Sequence, residues 1–289
     1  MSVVATEGGR QASWVSRIGL VLLCVLWSIP TIGLLVTSFR PRADIETSGW
    51  WEAVINPFGT GWTLDNYEGV LTGQTDMANS FINSIVVAIP ATVLPIMFAA
   101  FAAYAFTFMS FPGRDSLFIL IVAVMVVPIQ VAFVPMIDLL GPRGLDISGQ
   151  FLAVWILHTG FGMPLAIYTL RNYMSTLPAT VIESAKIDGA THFQTFWRLI
   201  VPMSVPALAA FAILQFIWVW NDLLIALLFL GAGDQATVIV ALQGLLGTQG
   251  QGWELLTAGA FVSMVVPMIV FFTLQRFFVR GLTAGAVKG

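Results

Sequence analysis

The chain has 289 residues, of which 58% are hydrophobic and only 9% charged, with a mean hydropathy of +0.90 and a formal net charge of −3. Soluble domains carry about 25% charged residues, so this composition excludes an ordinary soluble protein and points to a bilayer. The near-neutral balance gives no electrostatic footprint for nucleic acid, and the single cysteine, Cys24, excludes a disulfide within the chain and reads as an inert packing residue.

Six uncharged runs are long enough to cross about 30 Å of hydrocarbon as helix. The first is Ile18–Phe39, preceded by Arg10 and Arg17. It is too long for the apolar region of a cleaved signal peptide and is read as a retained anchor. An acidic segment, Arg40–Asp76, follows, with Trp50, Trp51 and Trp62 suited to a membrane–water interface. The second run lies within Met77–Phe111, with its spanning part at Asn83–Met109; the third is Ser116–Ile137 and the fourth Ile147–Leu170. A polar insert, 178–202, leads to the fifth, from about Pro202 to Leu230 and interrupted by Asp222. A glycine-rich stretch, Gly231–Glu254, reads either as a flexible connector or as a loop touching an external partner. Leu255–Gln275 is the sixth run. Prolines at 90, 95, 128, 135, 164, 206 and 267 predict kinks. All-round apolarity rather than alternation predicts an all-α polytopic membrane protein, not a β-barrel.

Six spans put both ends of the chain on one side. That side holds nine of the twelve Lys and Arg residues, among them Arg114, Arg171, Lys186 and Arg198, while Arg40, Arg42 and Arg143 fall on the other. The positive-inside rule makes the richer side cytoplasmic. The expected layout is a cytoplasmic segment 1–17, a membrane domain 18–280 and a cytoplasmic tail 281–289.

The insert 178–202 is the most informative stretch. Pro178 suits a first helical turn, and Val181, Ile182, Ala185 and Ile187 offer an apolar face beside Glu183, Lys186 and Asp188. Gly189 suits a helix end. Thr191 and Gln194 match a capping box for a second short helix carrying Phe193, Phe196, Trp197 and Ile200, with Pro202 opening the next span. The prediction is an amphipathic elbow at the membrane surface, either an ordinary solvated connection or a docking element for a soluble partner.

Glu183, Ala185, Gly189 and Pro202 stand at the spacing of the E-A-A-x3-G-x9-I-x-L-P loop, and the segment resembles the EAA loop of ABC importer permeases, the binding-protein-dependent inner membrane components. Ser184, Leu199 and Val201 depart from that pattern conservatively. Trp220-Asn221-Asp222 resembles the WND segment of the carbohydrate class, and Gly281–Gly289 resembles the tail of a maltose-type permease subunit. The resemblance implies a bacterial inner-membrane location and a sugar substrate such as an α-glucoside, maltose or trehalose. It also implies three partners: a second permease, a cytoplasmic ATPase dimer that binds ATP and magnesium, and an external sugar-binding protein. It assigns ATPase coupling to Glu183, Ala185, Asp188, Gly189, Ala190, Phe193 and Pro202, and tail contacts with the ATPase to Gly285, Val287 and Lys288.

Trp220, Asn221 and Asp222 are candidates for a translocation path or gate. A carboxylate at mid-bilayer is costly, about 2.5–3.5 kcal/mol on insertion scales. Asp222 is therefore expected near a span end, paired, or beside water. His158, in the fourth run, suits an interhelical hydrogen bond better than a proton relay. No phosphate loop, nucleophile–base pair or metal-ligand spacing is present in the sequence. No catalytic residue, resident metal or cofactor is expected in this chain. An ion-coupled carrier is the alternative, and it would call for more embedded acidic or His groups and an internal repeat.

Overall fold

A computed structural model describes residues 14–73, 77–245 and 252–286, with side chains as far as residue 276. Every regular element among the described residues is helical. The chain forms two compact units, residues 1–70 with 246–261, and residues 71–245 with 262–289.

The first unit contains α1 (Trp14–Ser38), α2 (Arg42–Thr47), α3 (Trp50–Ile55) and most of α4 (Asp65–Thr72). Helix α1 is exposed along almost its whole length; only Gly33 and Ser38 are buried. Cys24 is therefore exposed rather than packed, because α1 has few neighbours within its own chain. Gly33 lets α3 approach, since a Cβ there would come within 2.8 Å of the Trp50 indole nitrogen. The acidic segment is not a plain loop. Its organiser is Arg40, only 2% exposed, which donates to the carbonyls of Ser48 (3.1 Å) and Asp44 (2.9 Å) and to the Ser48 hydroxyl. Asn66 closes the arrangement by donating to the carbonyls of Ser38 and Arg40. Trp50 packs beside α1, while Trp51 and Trp62 remain half exposed, as interfacial residues should.

The second unit is built around α5 (Met77–Phe108), α8 (Phe151–Met174) and α11 (Val201–Trp220). Small buried residues on α5, including Ala91, Ala99, Ala100 and Ala103, let the neighbours approach closely, as in other membrane bundles. Gly162 of α8 does the same, for a Cβ would lie 2.8 Å from the Gln215 amide of α11. That amide donates to the Ala91 carbonyl of α5 at 3.2 Å, so one polar group ties α11 to α5 at the place where α8 passes close.

Among the described residues, five helices are long and apolar enough to cross a membrane: Trp14–Ser38, Met77–Phe108, Phe151–Met174, His192–Trp220 and Trp253–Arg276. The expected third span is broken. Helix α6 (Arg114–Val124) and the Ile129–Leu140 stretch, a short 3₁₀ turn running into α7 (Phe133–Leu140), meet at 94°. Pro128 explains the break, because it lacks an N–H and steers Val127 away from helical geometry. Pro90, Pro95, Pro164 and Pro267 instead sit inside unbroken helices.

The glycine-rich stretch is not a bare flexible connector in its first half. It contains α13 (Val238–Leu245), with Val238, Val240, Leu242 and Leu245 buried. Asn83 donates to the carbonyls of Asp234 and Ala236, and the Ser84 hydroxyl accepts from Val238 N–H at 2.8 Å. The first half is thus pinned to α5; Gly247 and Gly250 lie outside the described residues. The final helix, α14 (Trp253–Ala286), continues through the segment expected to be a separate tail.

Candidate functional site

The insert folds as the predicted elbow, and local chemistry explains each joint. Pro178 stands at the N-cap rather than inside the first turn, and α9 runs from Ala179 to Ile187. Gly189 adopts φ +75°. Its N–H bonds the Lys186 carbonyl at 3.1 Å, and Ala190 N–H bonds the Ala185 carbonyl at 2.9 Å. This pair is the Schellman pattern, which satisfies the last carbonyls of a helix. Nothing lies within 4 Å of a Cβ built on Gly189, so the glycine is required by its backbone angle and not by crowding.

Thr191 begins the second arm. Its hydroxyl accepts from Gln194 N–H at 3.3 Å, while the Gln194 side chain accepts from Thr191 N–H at 2.9 Å. The reciprocal capping box is complete. The short helix α10 (His192–Thr195) does not stop before the span. It continues through a π turn, Phe196–Ile200, into α11, giving one helix from His192 to Trp220. Pro202 accounts for the wide turn. A proline ring collides with the carbonyl four residues back, here Arg198, and the extra residue of a π turn displaces that carbonyl.

The two arms bury one side of the elbow. Ile182 of α9 and Phe196 and Ile200 of the second arm join Tyr104 and Ala103 of α5 and Met174 of α8 in a single apolar cluster. Phe196 stacks on Phe101 with ring centroids 4.5 Å apart. The Tyr104 hydroxyl lies 2.9 Å from His192 Nδ1. Glu183, Ser184, Lys186, Asp188 and Gly189 face outward.

One predicted placement holds and one changes with this geometry. Ala185 is buried, as its position on the apolar face of α9 requires. Ile187 is 86% exposed and leaves the apolar face on which the sequence pattern put it. The signal was available, since two residues turn a helix by about 200°, which sends Ile187 away from Ala185. With Phe193, 68% exposed, it gives the elbow an apolar tip among charged neighbours. Ala190 is half-buried, and Pro202 is exposed.

The second predicted constellation is divided. Helix α11 ends at Trp220, and α12 (Leu224–Phe229) follows after a short break. Trp220 is only 2% exposed; its ring stacks on Phe216 and meets Phe81 edge-on, and its N–H donates to the Ser263 carbonyl. No face of this indole is left for a sugar, so its role in the fold is core packing. Asn221 is exposed and turns back to the Ile217 carbonyl at 2.8 Å. Asp222 accepts from Ala226 N–H at 3.1 Å, capping α12, and lies 3.8 Å from Nε2 of the buried His158. The carboxylate thus sits at a helix break, held by backbone N–H groups of α12 and with His158 of a neighbouring helix within ion-pair distance. Gly285 falls within α14, while Val287 and Lys288 lie outside the described residues.

Residues 91–284 match the family model described as binding-protein-dependent transport system inner membrane component. The osmoprotective compounds uptake permease protein of Synechocystis is 50% identical over 94% of this chain and 91% of its own length. The alpha-glucoside transport system permease protein of Rhizobium meliloti is 38% identical, covering 96% of this chain and 97% of its own. The trehalose transport system permease protein of Mycobacterium tuberculosis is 32% identical, with 94% of each chain covered. Among solved structures, a chain of a bacterial ABC transporter for alginate import shares the fold with a TM-score of 0.70 at 21% identity, over 93% of this chain and 99% of the other.

Proposed function

From the premise that this chain belongs to the family of binding-protein-dependent transport system inner membrane components, we propose that it is a permease subunit of an ATP-driven importer for a small α-glucosidic sugar or a related osmoprotective glycoside. The substrate class rests on the names of relatives 32–50% identical to it, which carry osmoprotective compounds, alpha-glucosides and trehalose. The chain works beside a second permease, receives solute from an external binding protein, and is driven by a separate ATPase dimer that holds ATP and magnesium. Both ends of the chain and the 178–202 elbow face that ATPase in the cytoplasm.

The observation that carries this reading is the elbow. Its inner side is anchored in the bundle, and its outer side presents Glu183, Lys186, Asp188, Ile187 and Phe193 together. An amphipathic helix with an exposed apolar tip and flanking charges suits a groove on another protein. An anchored base lets force applied at that groove reach the spans.

Reconstitution of the assembled complex in proteoliposomes tests the reading. ATP-dependent uptake of trehalose or maltose that requires both the ATPase and the binding protein is the expected result. Uptake that persists without the ATPase and collapses when the proton gradient is dissipated overturns it in favour of an ion-coupled carrier, for which His158 and Asp222 are the embedded pair. Orientation is read separately, from labelling of a cysteine at position 186 after Cys24 is replaced; access from the external side alone reverses the topology.

A further inference from the structure

We propose that Tyr104 and His192 are positioning residues that carry movement of the elbow into α5, an inference resting on the coupling role argued above. Three observations converge on this pair. First, the bond joins unlike surroundings: Tyr104 is buried, at 5% exposure, whereas His192 is exposed on the elbow beside Phe193. Second, the joint between elbow and α11 is the π turn Phe196–Ile200. Such turns replace the regular ladder with a looser one and often occur at functional sites, so α11 is a soft route for force. Third, the elbow grips α5 firmly. Phe196 stacks on Phe101, Tyr104 meets Phe196 edge-on at 5.5 Å, and the Tyr104 hydroxyl adds directional contacts, 2.9 Å to Nδ1 of His192 and a further bond to the Thr195 side chain. Helix α5 in turn packs along both α8 and α11. A displacement of α10 therefore has a route to the centre of this unit through α5 as well as through the span to which α10 is covalently joined.

The stacked rings hold the elbow in place but are tolerant of sliding and rotation. A hydrogen bond is not, since it weakens steeply with misalignment. The phenol–imidazole contact thus fixes where along α5 the elbow sits. With the ring proton on Nε2, the phenol donates to Nδ1, and the remaining edge of the imidazole is free to meet a docked partner.

The test uses the whole complex in proteoliposomes and reads solute moved per ATP hydrolysed. Tyr104→Phe removes only the hydroxyl. It should lower that ratio about two- to tenfold, the factor that one net hydrogen bond is worth, while the ATPase still co-purifies in full. His192→Leu should lower the ratio similarly. His192→Asn, which keeps a polar atom near the Nδ1 position, should restore most of it. The Tyr104→Phe/His192→Leu double variant should be no worse than Tyr104→Phe alone, since the phenol–imidazole contact is already lost there. An unchanged ratio in Tyr104→Phe, or additive losses in the double variant, overturns the proposal. Failure of the unmodified complex to couple at all would count instead against the coupling role of the elbow.

Discussion

Two of the helix breaks in the second unit, at Gly189–Thr191 and at Asn221–Leu223, are closed differently. The first is closed by its own neighbours in sequence: a left-handed glycine, a Schellman pair and a reciprocal capping box, all within ten residues. The second is closed partly by Asp222 on Ala226 and partly by tertiary packing, with Trp220 sunk among Phe81, Phe216 and the Ser263 carbonyl, and His158 set beside the carboxylate. A break completed locally is a self-standing part that can face outward. A break completed by distant residues belongs to the core, and its side chains are already occupied.

That contrast predicts opposite phenotypes. The largest effect is expected from Trp220→Ala, about 3–5 kcal/mol for emptying a packed aromatic site. It should appear as a lower melting temperature and poor yield of the purified permease, and an unchanged melt would put Trp220 outside the core. Glu183→Lys should leave the melt of the permease alone and cost roughly 2–5 kcal/mol of association with the ATPase, about thirtyfold to several thousandfold in affinity. Co-purification measures it, and full retention would remove Glu183 from the docking face. Gly189→Val forces a β-branched residue into a left-handed angle at a cost of about 1–2 kcal/mol. Because the space around Gly189 is open, Gly189→Asn should be milder than Gly189→Val in the same assay; equal losses would mean that bulk and not angle matters. Thr191→Ala removes half the capping box, worth about 1 kcal/mol, and should raise proteolytic cutting within 188–195. The smallest effect is expected at Asp222: Asp222→Asn keeps a capping oxygen and should change the melt by no more than a few tenths of a kcal/mol, against about 1 kcal/mol for Asp222→Ala. A large loss in Asp222→Asn would mean that the charge, and so its relation to His158, is what matters.

The same contrast explains what was legible in the sequence. The spans were, since run length and lack of charge decide them, and so was the elbow, because Gly189, Thr191 and Gln194 act on backbone within a few positions. The break at Pro128 follows from one ring. Hidden were the features that depend on partners far along the chain. Tyr104 and His192 are 88 residues apart. The burial of Arg40 depends on the folding back of α2, α3 and α4, which a charged residue after a membrane span does not announce. The glycine-rich stretch fits a flexible connector or a partner-touching loop by composition alone, and nothing in it announces that Asn83 and Ser84 hold its first half against α5. The start of the fifth span was misplaced because Pro202 reads as a beginning, while a π turn carries the helix past it.

That turn has a geometric consequence. Each residue added to a helix advances the azimuth of everything after it by about 100°. The supernumerary residue in Phe196–Ile200 therefore sets the phase between the direction the elbow points and the direction every side chain of α11 points. Deleting one residue there would rewind the whole span relative to the elbow, re-aiming Gln215 and Trp220 together while leaving the caps at Gly189 and Thr191 intact. The outward face of the elbow and the face shown to the interior of the bundle are thus matched at one angular offset, written in a single turn.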